Sequence, residues 1–419
     1  MQKHPPLQVY FTTSFITSVL YSLIFTVNLL YYIFVAKLNP LQLVLVGTAL
    51  EASIFIFEVP TGVLADSVSR RLSVIIGIFL IGAAFLVNGI WPVFWVIMAA
   101  QVLWGLGYTF TSGASQAWIS DEIGEENAGS AYIRAARWDQ WGGIVGTILS
   151  VFLALISIRV PILIGGALFL VLGTYLVLYM PEDGYSPQPL DTRTRWQQFF
   201  GTFRQGVSVL KVRPALIGIL AAGFIFGFYS EGYDRLWQAH ILERFTLPAI
   251  NFLEFRFDGI EMIATFWNAA FKLVLLGLAA FATKVAESQL HHPEMDKLAR
   301  GLLLLSLVLL VGLIGFALAG NLLAALACAL VIGVSREVIY PVYTTWVNHR
   351  LPANVRATVL SFSSQMDAVG QTLGGPIVGV VAKQVSITAG LLTSSAMLAP
   401  VLPILFKQRH EWEMDSTGD

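Results

Sequence analysis

Residues 57–71, FEVPTGVLADSVSRR, place a carboxylate and a proline inside an apolar run and then end on two arginines. An ionisable side chain at membrane depth costs about 2.5–3.5 kcal/mol on insertion scales, so Glu58 has no structural reason to be there unless it faces a partner or a cavity. Asp66, Arg70 and Arg71 are the polar residues expected where a helix leaves an apolar phase. The stretch therefore predicts a membrane-spanning helix that carries a carboxylate with a partner or a cavity beside it and ends at a charged turn.

The composition of the whole chain also indicates a membrane protein. Of its 419 residues, 56% are hydrophobic and only 12% are charged, whereas a soluble protein has about 25% charged residues. The net charge of -1 offers no basic face to a nucleic acid. The single cysteine, Cys328, excludes a disulfide framework.

Apolar segments recur along the chain at the length that a bilayer requires, about 20 residues. The first has no charge from Leu7 to Ala36, which is longer than the apolar core of a signal peptide, about 7–15 residues. We therefore predict a first transmembrane helix instead of a cleaved leader. Twelve segments are predicted, at about 11–36, 41–65, 73–90, 93–118, 132–157, 160–180, 213–233, 260–283, 300–318, 321–347, 357–382 and 386–406.

Lysine and arginine are distributed unequally between the two sides of these segments. With the N-terminus inside, sixteen of the 25 fall on that side, six fall on the other, and three lie at membrane depth. Because positive residues concentrate in cytoplasmic loops, we expect both termini and residues 181–212 to be cytoplasmic.

The two halves of the chain resemble each other when they are shifted by 228 residues. The matching pairs are Gly105 and Gly333, Trp118 and Trp346, Asp139 and Asp367, Gly142 and Gly370, and Gly146 and Gly374. Parallel repeats of this kind build transporters from two halves related by an axis normal to the membrane. We predict an all-α integral membrane protein with twelve transmembrane helices in two pseudo-symmetric six-helix halves, 1–180 and 213–419, joined by a cytoplasmic linker, 181–212.

The segment from Gly62 to Arg71 resembles the loop motif between the second and third helices of the major facilitator superfamily, usually written G-x-L-a-D-r-x-G-R-K/R. The resemblance implies alternating access, with Gly62, Asp66, Arg70 and Arg71 as gating residues. Asp66 would hold the cytoplasmic side closed at a helix N-terminus, where a negative charge is favoured. The arginines either pair with acidic groups across the interface or only follow the positive-inside rule.

The sequence departs from this motif, and from that of many drug/proton antiporters of the superfamily, at several positions. Ser67 replaces the usual basic residue, and Ser69 replaces the usual glycine. Gln101 stands where those antiporters carry an arginine in the fourth helix. This glutamine puts one familiar proton-relay arrangement in doubt.

Glu51 and Glu58 are two helical turns apart and so lie on one face of the second segment. A desolvated carboxyl group favours its neutral form, so such a residue can load and release a proton as access alternates. The spacing of the two glutamates, Pro60, Asp66 and the arginines resembles the variant of a clostridial tetracycline-efflux branch. The alternative is a structural glutamate that is hydrogen-bonded to neighbouring polar side chains.

Other candidate site residues are charged or aromatic residues within the apolar segments. Charged residues that either form structural ion pairs or bind substrate or protons are Arg137, Asp139, Arg336, Glu337 and Asp367. Glu231, Asp234 and Arg235 are expected at an exit gate or a solvated helix end. Aromatic candidates for a cavity wall, with interface belts and packing as the alternative, are Tyr32, Trp104, Tyr108, Trp118 and Trp346.

Together these features predict a secondary active transporter in the cell membrane that exports a small amphipathic compound by proton-coupled antiport. The predicted partners are a small-molecule substrate, protons and the lipid bilayer, and we expect a monomer with no nucleic-acid partner. There is no P-loop, metal-binding spacing or catalytic constellation, so we expect no cofactor, no metal and no enzymatic activity. The alternatives are a proton-coupled importer or facilitator of a metabolite and a non-transporting receptor or scaffold.

Overall fold

The computed structural model describes residues 4–185, 214–249, 251–252, 255–256, 259–290, 295–350 and 353–416. Nearly all of these residues are helical, as the sequence predicts. The helices up to residue 179 are α1 (Pro6–Phe25), α2 (Asn28–Phe34), α3 (Pro40–Ser67), α4 (Arg70–Ile90), α5 (Phe94–Thr111), α6 (Ala114–Ile123), α7 (Glu125–Ala154) and α8 (Val160–Tyr179). The later helices are α9 (Pro214–Arg244), α10 (Ile260–Leu290), α11 (Met295–Leu318), α12 (Leu322–Arg350), α13 (Ala353–Gln384), α14 (Ile387–Leu398) and α15 (Val401–Ser416).

All twelve predicted segments are present, and three of them are broken into two helices. The first breaks between α1 and α2, where the Thr26 hydroxyl donates to the Ser22 carbonyl at 2.6 Å. The fourth breaks between α5 and α6 at Gly113, whose φ of 67° is easily adopted only by glycine. The twelfth breaks before α15 near Pro400, which has no N–H to continue a helical ladder.

The connection between the seventh and eighth predicted segments, residues 234–259, is shorter than those segment bounds indicate. Helix α9, which corresponds to the seventh predicted segment, continues to Arg244. Most of the charged residues at the start of that connection are therefore helical. A small antiparallel hairpin follows, in which β1 (Asn251–Phe252) pairs with β2 (Phe255–Arg256). The apolar pattern ends before the helix does, because charged residues inside the protein interrupt the pattern without interrupting the backbone hydrogen bonds.

Nine of the twelve segments are long and apolar enough to cross a membrane, judged over the described residues. The other three are α7, α9 and α13, which carry Asp139, the pair Glu231 and Asp234, and Asp367, respectively. Each of these three helices therefore carries at least one acidic residue that the sequence analysis named.

The described residues cluster into two compact units. The first comprises Met1–Leu38, Ala49–Trp196 and Pro248–Ala270, and the second comprises Asn39–Thr48, Gln197–Leu247 and Phe271–Asp419. These units differ from the predicted halves by residues 39–48 and 248–270. The predicted linker, 181–212, lies outside the described residues from 186 onward, so the division into halves stays a prediction.

Glycines bring equivalent helices together in each unit. A Cβ on Gly146 of α7 would lie 2.2 Å from the carbonyl oxygen of Val19 in α1. A Cβ on its repeat partner Gly374 of α13 would lie 2.0 Å from the carbonyl oxygen of Phe228 in α9. Only glycine allows such close backbone contact, so both repeat positions have the same packing role.

Candidate functional site

A cavity of about 920 Å³ lies within the second unit. Side chains from α9, α10, α11, α12 and α13 line it. Three of the charged residues predicted from sequence, Arg336, Glu337 and Asp367, are among the lining residues. The structure thus brings together charges from the tenth and eleventh segments that the sequence left separate.

Arg336 is held by a partner that the sequence analysis placed elsewhere. Its guanidinium group pairs in bidentate fashion with Asp234 of α9, with Nη1 donating to Oδ1 and Nη2 donating to Oδ2 at 2.8 Å. The two side chains are 33% and 37% exposed. Asp234 is therefore tied to the cavity through its pairing with the lining residue Arg336. Its assignment to an exit gate or a solvated helix end stays a prediction. A lone acid in an apolar helix was the available signal, but its partner lies 102 residues away.

Asp367 supplies a carboxylate on a different wall of the cavity. Its Oδ2 accepts a hydrogen bond from Gln371 Nε2 at 2.8 Å, one turn along α13. Arg336 and Asp234 lie close enough to interact with Asp367 electrostatically. Glu337 is exposed, so it presents a second carboxylate to the cavity.

Aromatic side chains form much of the remaining wall. Tyr343 is fixed because its hydroxyl donates to the Ile219 carbonyl at 2.8 Å and lies 2.8 Å from the Ser363 hydroxyl. Tyr340 is 73% exposed. Trp346 is only 1% exposed and packs beside Tyr343. Trp346 therefore supports the cavity wall from behind and is not one of its lining residues.

Glu58 and Glu51 lie in the first unit, on α3. The Ser112 hydroxyl, at the end of α5, donates to Glu58 Oε1 at 3.4 Å. Within the described part of the chain, Glu58 Oε2 is buried and has no hydrogen-bond partner. Glu51 is half-buried. An acid with one unsatisfied buried oxygen is better suited to a neutral, protonated state than to a fixed charge.

Arg137 and Asp139 of α7 are exposed, and neither lines the cavity. The backbone carbonyl of Asp139 accepts a hydrogen bond from the Ser18 hydroxyl at 2.5 Å, which ties α7 to α1. The structure therefore places Asp139 and its repeat partner Asp367 in different surroundings.

Two of the predicted gating residues, Asp66 and Arg70, form an ion-pair cluster with Asp121 inside the first unit, called the gating cluster below. Arg70 Nη1 donates to Asp121 Oδ2 and to the Ala117 carbonyl at 2.6 and 2.8 Å. Nη2 of the same Arg70 lies 3.6 Å from Asp66 Oδ1. Arg70 thus pairs with α6 inside the first unit, and the role of the two arginines across the interface stays a prediction. The neighbouring Arg71 donates to the Val177 carbonyl at 2.6 Å.

Residues Pro181–Tyr185 form a strap that packs against this cluster. The Glu182 carboxylate accepts from the Ser69 hydroxyl at 2.7 and 2.9 Å and from the Arg71 N–H at 2.9 Å, at the N-terminus of α4. The Tyr185 hydroxyl donates to the Asp66 carbonyl at 2.7 Å. The loop motif is thus held by hydrogen bonds from residues that the sequence analysis assigned to the linker.

The remaining predicted aromatics and Gly62 have varied surroundings. Trp118 is 2% exposed and donates to the Pro181 carbonyl at 2.7 Å, so it anchors the strap. Trp104 packs in a ring cluster with Phe25 and Phe85. Tyr108 is 42% exposed. Gly62 is exposed on α3 and could take a Cβ without meeting any described atom within 4 Å.

Tyr32 belongs to a buried polar network at the break between α1 and α2. Its hydroxyl donates to Asn88 Oδ1 at 3.1 Å and accepts from Gln101 Nε2 at 3.0 Å. Asn88 Nδ2 in turn donates to Asn28 Oδ1 at 3.0 Å. Gln101, which stands in the antiporter arginine position, therefore serves as a neutral donor within the protein interior.

A further close contact lies within the second unit, where residues 39–48 meet α9 and α13. Glu231 is 2% exposed and accepts a hydrogen bond from Arg235 Nε at 2.8 Å. Gly47 lies directly against this ion pair, since a Cβ built on it would be 1.5 Å from Glu231 Oε1. A Cβ on Gly375 would likewise lie 2.7 Å from Thr48 Oγ1. We call this set of residues the Gly47 contact.

Residues 10–375 match the family described as the Major Facilitator Superfamily (MFS). The chain belongs to the Major Facilitator Superfamily. This MFS protein is 22% identical over 368 residues to the uncharacterized MFS-type transporter YxaM of Bacillus subtilis (strain 168), with 87% of this chain and 86% of that protein covered.

Solved structures share the fold of this MFS protein. A bacterial homolog to the human lysosomal transporter Spinster, in an inward-facing and unoccupied conformation, gives a TM-score of 0.72 at 13% identity and covers 98% of this chain and 97% of its own. A POT family transporter in complex with a thioalcohol-conjugated peptide gives a TM-score of 0.71 at 14% identity. The match covers 96% of this chain and 94% of that transporter. At these identities the likeness concerns the fold alone.

Membership of the MFS makes this chain a secondary transporter of a small molecule and a multi-pass membrane protein, and not an enzyme. The predicted fold is confirmed.

Proposed function

We propose that this MFS transporter exports a small amphipathic compound across the plasma membrane in exchange for protons, as a member of the drug/proton antiporter branch. The cavity of the second unit is the observation that carries the proposal. Its lining contains two carboxylates and one guanidinium group among aromatic side chains. This combination suits a compound with a flat apolar body and a positively charged group.

The size of the cavity supports a drug-sized substrate. Its volume of about 920 Å³ falls near the upper end of the range of small-molecule sites, about 300–1,000 Å³. The apolar wall would hold the body of the substrate, and Asp367 and Glu337 would orient its cationic group. Trp118 and Trp346 are buried structural residues, so the proposed substrate site leaves them out.

Glu58 is the proposed carrier of the coupling proton. Its buried, unpartnered Oε2 fits the neutral acid, and its long 3.4 Å bond with Ser112 would shorten when the proton leaves and the carboxylate becomes charged. Ser112 directly precedes Gly113, where the fourth segment breaks. Proton release would thus pull on a helix break, which links the proton to a movement of the fourth segment.

The position of Glu58 also links the proton to the gate. It lies eight residues before Asp66 on α3, about 12 Å along the helix axis at 1.5 Å per residue. Since the two residues share a helix, a change in tilt or bend at Glu58 would be transmitted to the Asp66–Arg70–Asp121 cluster. Pro60 lies between them and provides a place for such a bend.

The proposal includes the arrangement of the chain in the membrane. We propose two six-helix halves, 1–180 and 213–419, with both termini and the linker 181–212 in the cytoplasm. The excess of lysine and arginine on that side supports this orientation.

Glu58→Gln tests the proton role in proteoliposomes with ethidium, an aromatic cation, as the probe. The wild-type protein should accumulate ethidium in the acidic compartment against its gradient. The variant should lose this pH-driven transport but keep ethidium counterflow, because the cavity lies in other helices. Glu126→Gln, which changes an exposed carboxylate in the first turn of α7, is the matched control. Full proton-coupled transport by Glu58→Gln across a pH series would refute the role of Glu58.

The direction of transport is tested by the same vesicles. If ethidium moved in the same direction as the protons, the protein would be a proton-coupled importer, and the export hypothesis would be wrong. Saturable ethidium binding without counterflow would identify a non-transporting receptor.

A further inference from the structure

The guanidinium group of Arg336 has binding capacity that its ion pair does not use. An arginine side chain has five N–H donors, and the bidentate pair with Asp234 uses one donor on each terminal nitrogen. Arg336 lines the cavity and is 33% exposed, so the remaining N–H groups are accessible to a ligand. Arginine forms its strongest hydrogen bonds with carboxylate and phosphate oxygens.

Asp234 also makes it costly for a ligand anion to bind alone. It already balances the charge of Arg336, and Asp367 and Glu337 add two further carboxylates to the same cavity, whose described lining residues include no second cation. A ligand that brought only a carboxylate would raise this negative charge further. A ligand that also brought an ammonium group would leave the net charge of the occupied cavity unchanged.

The positions of these groups provide separate places for the two ligand charges. Arg336 and Glu337 are consecutive on α12 and therefore project about 100° apart, while Asp367 projects from α13. The aromatic Phe226 and Tyr340 are also part of the lining, where an apolar ligand body can lie against them.

We propose that the cavity recognises an aromatic zwitterion, whose carboxylate binds the free N–H groups of Arg336 while its ammonium group binds Asp367 and Glu337. This inference rests on the proposed function, because it names the substrate class of the same cavity. It differs in requiring a carboxylate, which an amphipathic cation such as ethidium does not have.

Three indole compounds separate the contributions of the two charges. Tryptophan carries both groups, tryptamine lacks the carboxylate, and indole-3-propionate lacks the ammonium group. Isothermal titration of the purified full-length protein in nanodiscs should show tryptophan binding about tenfold more tightly than either analogue, since each lost partner removes charge-assisted hydrogen bonds. Equal affinities for tryptophan and tryptamine, or no binding of tryptophan, would overturn the proposal.

Two variants test whether Arg336 binds the carboxylate of the ligand. The double variant Asp234→Asn with Arg336→Gln removes both members of the pair and keeps the net charge, so no buried charge is left alone. It should bind tryptophan and tryptamine equally, with the affinity for tryptamine unchanged. Arg336→Lys keeps the charge and loses the forked donors, so it should reduce the preference without abolishing it. A double variant that kept the full preference for tryptophan would contradict the assignment.

The binding assay and the transport assay can fail independently. Loss of the tryptophan preference with intact proton-driven ethidium export would refute the zwitterion and leave the proposed function standing. The preferred binding of tryptophan without any proton-driven flux would refute the proposed export and leave the recognition site standing.

Discussion

Gly47→Ala should weaken the Gly47 contact selectively. The added Cβ would lie 1.5 Å from Glu231 Oε1 and 2.1 Å from Arg235 Nε. Non-bonded Cβ contacts below 3.0 Å essentially never occur, so at least one of these groups must move by about 1.5 Å. Glu231 is 2% exposed, so its side chain has little free space into which it can move, and the ion pair or the helix must shift.

The magnitude follows from the cost of inserting a methyl group into a packed contact, about 1–3 kcal/mol. This cost applies only while residues 39–48 lie against α9 and α13, because the methyl group meets no such obstacle once they separate. The transport cycle should therefore shift by about 5- to 150-fold toward states in which the Gly47 contact is open.

Labelling of a cysteine introduced at Thr48 measures this shift. Cys328→Ser provides a cysteine-free background, and Thr48 lies against Gly375 while the contact is closed. A water-soluble maleimide should label this cysteine about 5- to 150-fold faster in the Gly47→Ala variant than in the parent protein. Gly277→Ala is the matched control, since its Cβ would meet no described atom within 4 Å and it receives the same gain in helix propensity, about 1 kcal/mol.

The reasoning is refuted if Gly47→Ala and Gly277→Ala label at the same rate. A thermal unfolding curve accompanies the measurement, because general unfolding would also expose Thr48. A rate that rises with an unchanged unfolding temperature can come only from opening of the contact.

Two further predictions concern the gate and the orientation. Asp66→Asn should slow ethidium transport while leaving its affinity and the unfolding temperature unchanged, because the residue lies in the gating cluster and not in the cavity; a collapse of affinity with normal cycling would contradict the gating role. A cysteine at Arg244 should react with an impermeant reagent added outside intact cells, and one at Asn127 should not; the opposite pattern would invert the proposed topology.

The sequence predicted those features of the fold that depend on local patterns. The twelve segments follow from runs of apolar residues, and the paired glycines Gly146 and Gly374 follow from an internal repeat. The twelve segments are confirmed in the structure, and each glycine of the pair lies at a close backbone contact between helices. Apolar length and small residues at a helix interface act through the helix that contains them. The breaks within three segments were missed, since hydropathy continues across a break such as Gly113.

The candidate site could be predicted only one residue at a time. Arg336 and Asp367 were recognisable as charges in apolar segments, but their grouping with Asp234 depends on how α9, α12 and α13 are arranged in space. The same applies to Arg70, whose partner Asp121 lies 51 residues further along the chain. One sequence shows which residues are costly to bury, whereas the identity of the partners that offset this cost depends on tertiary packing.

The strap formed by Pro181–Tyr185 determines where this protein can be divided into two co-expressed fragments. A division after Met180 would remove the carboxylate that caps the N-terminus of α4 and the carbonyl that binds Trp118. A division after Tyr185 keeps both with the fragment that they stabilise. The N-terminal fragment of a split transporter should therefore end at or beyond Tyr185, and a fluorescent or affinity domain inserted between the fragments belongs after this residue as well.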